Sequence, residues 1–92
     1  MAKFVAVGHA IFFDNFTYVG EAESHREAAL SAAKKILDDQ CKDSEKAVDA
    51  LAWDNIIFID AVIDRDFVIE TNFEFRPDEL IGVTTDFKPS SK

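Results

Sequence analysis

Ninety-two residues, 48% of them hydrophobic, with a formal net charge of −8, predict one folded domain with a modest core and exclude wholesale disorder. A single cysteine, Cys41, excludes an internal disulfide and suits a reducing cytoplasm. The longest apolar stretch, residues 4–13, is broken by Gly8 and His9 and followed by no small-residue cleavage site. It therefore does not read as a signal peptide, and no run is long enough to span a bilayer. The chain is expected to be soluble and cytoplasmic.

Residues 4–13 and 16–22 are rich in Phe, Val, Ile and Tyr and read as two strands. Between them, Asp14 and Asn15 tolerate the left-handed backbone of a two-residue hairpin turn. That turn sets Phe13 opposite Phe16, Ile11 opposite Tyr18 and His9 opposite Gly20. One face then carries Val5, Val7, His9, Ile11, Phe13, Phe16 and Tyr18 and is taken as the core face. The other, with Phe4, Ala6, Gly8, Ala10 and Phe12, is unusually apolar for a wet surface.

Residues 23–42 form the plainest helix. Ser24 with Glu27 three residues on is a capping box. Ala29, Leu30, Ala33, Ile36 and Leu37 recur at helical spacing as one apolar stripe. Ser31, Lys34, Lys35, Asp38 and Asp39 fall on the opposite, solvated face. A largely alanine stripe lets the helix axis approach whatever it covers.

Asp43, Ser44, Glu45 and Lys46 read as a second helix start, continued by Ala47, Val48, Leu51 and Ala52 for two turns and broken by Asp54 and Asn55. A second hairpin follows, 56–63 and 67–75. In its later strand Phe67, Ile69, Thr71, Phe73 and Phe75 alternate with Val68, Glu70, Asn72 and Glu74. A three-residue loop of Asp64, Arg65 and Asp66 keeps Ile57, Ile59, Ala61 and Ile63 on the inner face. Pro77 to Gly82 reads as one helical turn, Val83 to Phe87 as a short edge strand, and 89–92 as a frayed tail after a single domain, 1–88. The order of elements predicts a two-layer α+β domain, an antiparallel sheet with helices on one face.

No residues carry recognisable catalytic chemistry. Cys41 and His25 lie sixteen residues apart on one helix, about 24 Å at the usual rise, too far to cooperate. His9 reads as a core histidine and Cys41 as packing. The chain has no phosphate loop, no zinc spacing and no clustered basic patch for nucleic acid. The expectation is a protein that is not an enzyme and uses no cofactor or metal.

The charge is unevenly placed. Residues 38–79 hold thirteen acids and four bases, giving −9, and the rest sums to +1. Such a surface repels phosphates and membranes and attracts basic partners. The three-residue loop sets Asp60 opposite Glu70, Phe58 opposite Asn72, Ile56 opposite Glu74 and Val62 opposite Val68 on the outer face. Like charges directly opposite destabilise a sheet, and exposed Phe and Ile are costly to leave wet. This mixed face predicts a docking surface of Phe58, Asp60, Asp64, Asp66, Glu70 and Glu74 for a basic protein. Self-association, or cover by the helix over 44–52, are the alternatives.

A hairpin running through Val19, Gly20, Glu21 and Ala22 into Glu23 and Ser24, then a helix and a second hairpin in a short acidic chain, resembles small phage-encoded inhibitors. It is similar in particular to type I-F anti-CRISPR proteins. The resemblance covers residues 4–75 and is architectural, with no motif residues to carry over. It implies a non-enzymatic binder in the host cytoplasm that docks on the basic, RNA-containing CRISPR surveillance complex and blocks target DNA. The rival reading is a homo-oligomeric accessory protein of a mobile element.

Overall fold

The computed structural model describes residues 1–42, 45 and 47–90. In chain order its elements are β1 (Ala2–Ala10), β2 (Phe13–Ala22), α1 (His25–Gln40), α2 (Ala47–Ala50), β3 (Ile57–Ile63), β4 (Ile69–Phe75), a 3-10 turn (Pro77–Leu80) and β5 (Lys88–Pro89). All strand pairs are antiparallel, in the order β4-β3-β1-β2-β5. With α1 packed across the sheet, this is the two-layer α+β architecture that the pattern of elements predicts. Among the described residues no helix is long and apolar enough to cross a membrane.

The capping of α1 differs from a full reciprocal box by one residue. The Glu27 N–H donates to Ser24 Oγ at 3.1 Å, while the Glu27 carboxylate accepts from the Glu23 N–H at 3.2 Å rather than from Ser24. The buried stripe is Ala28, Ala29, Ala32, Ala33, Ile36, Leu37 and Gln40, with Leu30 half-buried at its margin. Asp39 is not on the solvated face. It turns toward the sheet, where Tyr18 Oη donates to its Oδ2 at 3.4 Å. Lys35 and Lys42 stand 3.3 and 3.1 Å from Oδ1 as ion pairs. Burial pushes the Tyr18 phenol up from its ordinary value, and the Asp39 charge and hydrogen bond push it further.

The first hairpin turns earlier than Asp14 and Asn15. Ala10 pairs with Phe13, so Ile11 and Phe12 form the turn. Gly8 then pairs with Phe16, Ala6 with Tyr18 and Phe4 with Gly20. In β1 the parity is reversed from the expected one, with Phe4, Ala6 and Ala10 buried beneath α1 and Val5, Val7 and His9 on the opposite face, whereas Tyr18 of β2 is buried as expected. The physical reason is contact distance. An alanine-faced helix sits closest to strands that are themselves small, and a Cβ on Gly8 would meet Phe58 O at 2.6 Å and Ile36 Cδ1 at 2.9 Å.

The second hairpin also departs from the expected register. Ile57 pairs with Phe75, Ile59 with Phe73, Val62 with Glu70 and Ile63 with Ile69, so the loop is residues 64–68 rather than three residues. Against β1 the register shifts between Val7 and Gly8, leaving Asp60 as the extra residue of a bulge. Asn72, across from it on β4, adopts φ 65. Together they reverse the side-chain parity halfway along both strands. Ile57, Ile59, Phe73 and Phe75 face the core as expected, but beyond the bulge Val62 is buried and Ala61 and Ile63 are not.

Smaller differences follow. The second helix is a single turn, and its expected start at Asp43, Ser44 and Lys46 lies outside the described residues. Phe87 is buried against Gly20, and the closing strand is Lys88–Pro89, paired with Val19 and Tyr18. The Ser90 N–H donates to Thr17 O at 2.7 Å, so pairing runs into the expected tail, whose last residues, 91 and 92, are not described.

Candidate functional site

The register builds the site directly, because residues opposite one another in antiparallel strands share a face. With α1 on one side, the other side of the sheet has no covering element among the described residues, α2 included. Val19, Val5, Ile63 and Ile69 align across four strands as one apolar row. The next row is Thr17, Val7, Ala61 and Thr71. Beyond the bulge come His9, Phe58 and Glu74, and at the far end Lys3 is opposite Glu21. The centre of this open face is apolar, and charged groups bound it.

The bulge re-aims Asp60. Its Oδ2 lies 2.8 Å from His9 Nδ1, and the His9 ring stacks on Phe58 with centroids 4.9 Å apart and planes at 16°. His9 is thus a surface residue, not a core one. Of the six residues expected to dock a partner, Phe58, Asp60 and Glu74 come together here.

The other three do not join them. Glu70 faces the helix side, where its Oε2 lies 3.3 Å from His25 Nδ1. Asp60 and Glu70 are therefore not opposite each other, as expected from a three-residue loop, but on different faces. The longer loop makes Val62 the partner of Glu70, and the bulge at Asp60 turns Asp60 and Val62 to different faces. Asp64 works within that loop: its Oδ1 accepts from the N–H groups of Asp66 and Val68 at 2.8 and 3.0 Å. Asp66 stands exposed in the middle of the loop.

His25, in the first turn of α1, holds the loop to the helix. Its Nε2 lies 3.1 Å from Val68 O and 3.5 Å from Asp64 Oδ2, and its ring meets Phe4 edge-on at 5.0 Å. Cys41 packs against the core at the other end of α1. No group of His, Cys, Asp and Glu among the described residues is arranged to hold a metal ion.

Sequence reasoning missed His9, Val5, Val7 and Ile63 as members of the face. The signal that would have found them is size. Apart from Phe4, glycine and alanine fill the even positions of the first strand, and only that side matches an alanine-faced helix.

Compared with known proteins, the chain matches no family model, and no curated protein or solved structure is significantly similar to it.

Proposed function

We propose that the protein is a small, non-enzymatic binding inhibitor that docks its open sheet face on a basic protein surface. The observation that carries this reading is the uncovered row of Val19, Val5, Ile63 and Ile69, bounded at the bulge by Phe58, Asp60 and Glu74. Apolar surface gathered in one place is costly to leave in water and is commonly an interaction site. The acids at its border and the −9 carried by residues 38–79 select a partner rich in Lys and Arg and speed the encounter with it.

In its finer form the proposal follows the architectural resemblance to type I-F anti-CRISPR proteins. The partner is then the RNA-guided surveillance complex in the host cytoplasm, with guide RNA near the docking site, and the bound protein keeps target DNA out. The test uses purified type I-F complex loaded with guide RNA and a labelled target duplex in a mobility-shift assay. Near-stoichiometric protein should abolish the shift, and Asp60→Lys with Glu74→Lys should restore it while melting like the parent. An unaltered shift at large excess of protein would sink the finer proposal.

The same apolar row supports the second reading, self-association. A sedimentation equilibrium run at micromolar concentration decides it: a dimer dispersed by Val5→Asp makes the face an interface between copies. A monomer leaves it for a foreign partner.

A further inference from the structure

The loop joining β3 to β4 spends its polar groups on its own shape and presents an aromatic ring to water. Phe67 is 83% exposed and adopts φ 61, a backbone region uncommon for any residue but glycine and a true outlier for a bulky one. Such strain persists only where surrounding bonds over-determine it, and here they do. Asp64 Oδ1 accepts from the Asp66 and Val68 N–H groups. The Phe67 N–H donates to Asp64 O, and the Asp64 N–H donates to Val68 O, both at 3.2 Å. His25 Nε2 approaches that same Val68 carbonyl at 3.1 Å, tying the loop to α1.

The ring is followed by Val68 and Ile69, 52% and 56% exposed. Three consecutive exposed apolar residues are an error of folding unless they serve a function. Aromatic side chains entering pockets carry much of the energy of protein interfaces, and holding one in place beforehand lowers the entropy lost on binding.

We propose that this loop is a preorganised anchor whose Phe67 ring enters an apolar pocket, rimmed by Lys or Arg, on a protein partner. The charge around it supports that occupant. Asp66 and Glu70, both exposed, bracket the apolar run, and residues 60–79 hold seven acids against two bases. A second copy would bring like charges together, and anionic lipid headgroups would be repelled. The basic rim rests on the docking reading above, whereas the anchor rests on the loop's own geometry.

The test titrates the full chain into a fluorescein-labelled helical peptide with leucine on one face and lysine on the other, read by anisotropy. The parent should bind it, but neither a leucine and glutamate counterpart nor a serine and lysine one. Phe67→Ser should weaken binding by about tenfold or more, the scale of an aromatic hot spot, with an unchanged melt. Asp64→Ala, which keeps the ring but frees two N–H groups, should weaken it less. A Phe67→Ser chain that binds like the parent overturns the anchor. So does a parent that binds none of the peptides, one that enters phosphatidylcholine vesicles through Phe67, or one that forms a Phe67-dependent dimer. Phe58→Ala separates the two proposals. Loss with Phe58→Ala alone overturns the anchor and leaves the sheet face as the docking surface, while loss with Phe67→Ser alone upholds the anchor and counts against the face.

Discussion

The two hairpins use side-chain volume in opposite ways. Under α1 the first is built from Phe4, Ala6, Gly8, Ala10, Tyr18 and Ala22, mostly small residues that bring the alanine stripe of the helix down onto the backbone. The second fills its share of the core with Ile57, Ile59, Val62, Phe73 and Phe75. The first is locked between neighbours on both sides, while β4 is an edge of the sheet and its loop reaches into solvent. The two hairpins divide the labour. Close packing in the centre fixes the platform, and the edge hairpin is free to carry a bulge, a strained loop and most of the acids proposed to meet a partner.

That contrast is broken most severely at Gly8. A Cβ there would stand 2.6 Å from the Phe58 backbone oxygen and 2.7 Å from Ile59 Cδ1, and backbone gives way less readily than a flexible side chain. Gly8→Ala is expected to cost about 1–3 kcal/mol, the usual penalty of overpacking. Thr71→Ala, exposed on the second hairpin, should stay within about 0.5 kcal/mol. Urea denaturation of both variants measures the contrast. Equal midpoints would mean that the helix does not rest on the first hairpin as described.

The next test is at Asn72. By alternation alone this is an outward position of a strand, where valine would be welcome. Its φ of 65 makes a β-branched residue costly instead, by about 1–2 kcal/mol. Asn72→Val should therefore destabilise the chain, whereas Thr71→Val next to it should be neutral or slightly stabilising. A stabilised Asn72→Val variant would remove the bulge from the second hairpin, and with it the placement of Asp60 beside His9.

The helix and the fold class were legible because their signals are local. Ser24 and Glu27 cap within one turn, and the stripe from Ala29 to Leu37 needs no knowledge of what it covers. The faces of the first hairpin were not legible from alternation, because Val5 and Val7 on one side and Phe4 and Ala6 on the other are all apolar. Turn chemistry then favoured Asp14 and Asn15 over Ile11 and Phe12, and steric fit beneath the helix overrode it. In the second hairpin the run Ile57, Phe58, Ile59, Asp60, Ala61, Val62, Ile63 is apolar on both faces, which hides the bulge. Phe58, Asp60 and Glu74 were expected to share one face and do share it, but Glu70 was carried to the other face by the same hidden step in register.

The smallest effect sharpens that last point. Asp60 and Glu70 each sit beside a histidine of their own, His9 at 2.8 Å and His25 at 3.3 Å, on opposite sides of the sheet. Both carboxylates are open to water, and contacts of that kind are worth little, a few tenths of a kcal/mol, so single substitutions say little. Double-mutant cycles remove the background and leave only the pairwise part. Replacing Asp60 and Glu70 by alanine, singly and together, should give stabilities that add to within about 0.3 kcal/mol, since the two share no partner. The cycle of His9 with Asp60, and that of His25 with Glu70, should each show a small favourable coupling. In the alternative register the two carboxylates repel across one face, so either single change already relieves the repulsion and the double variant gains less than the two singles sum to. Such an unfavourable coupling in the Asp60 and Glu70 cycle, with none in the histidine cycles, would restore the three-residue loop. Additivity between the carboxylates together with coupling to the histidines would establish that the edge hairpin divides its acids, one kept on the open face and the other spent on holding the loop to the helix.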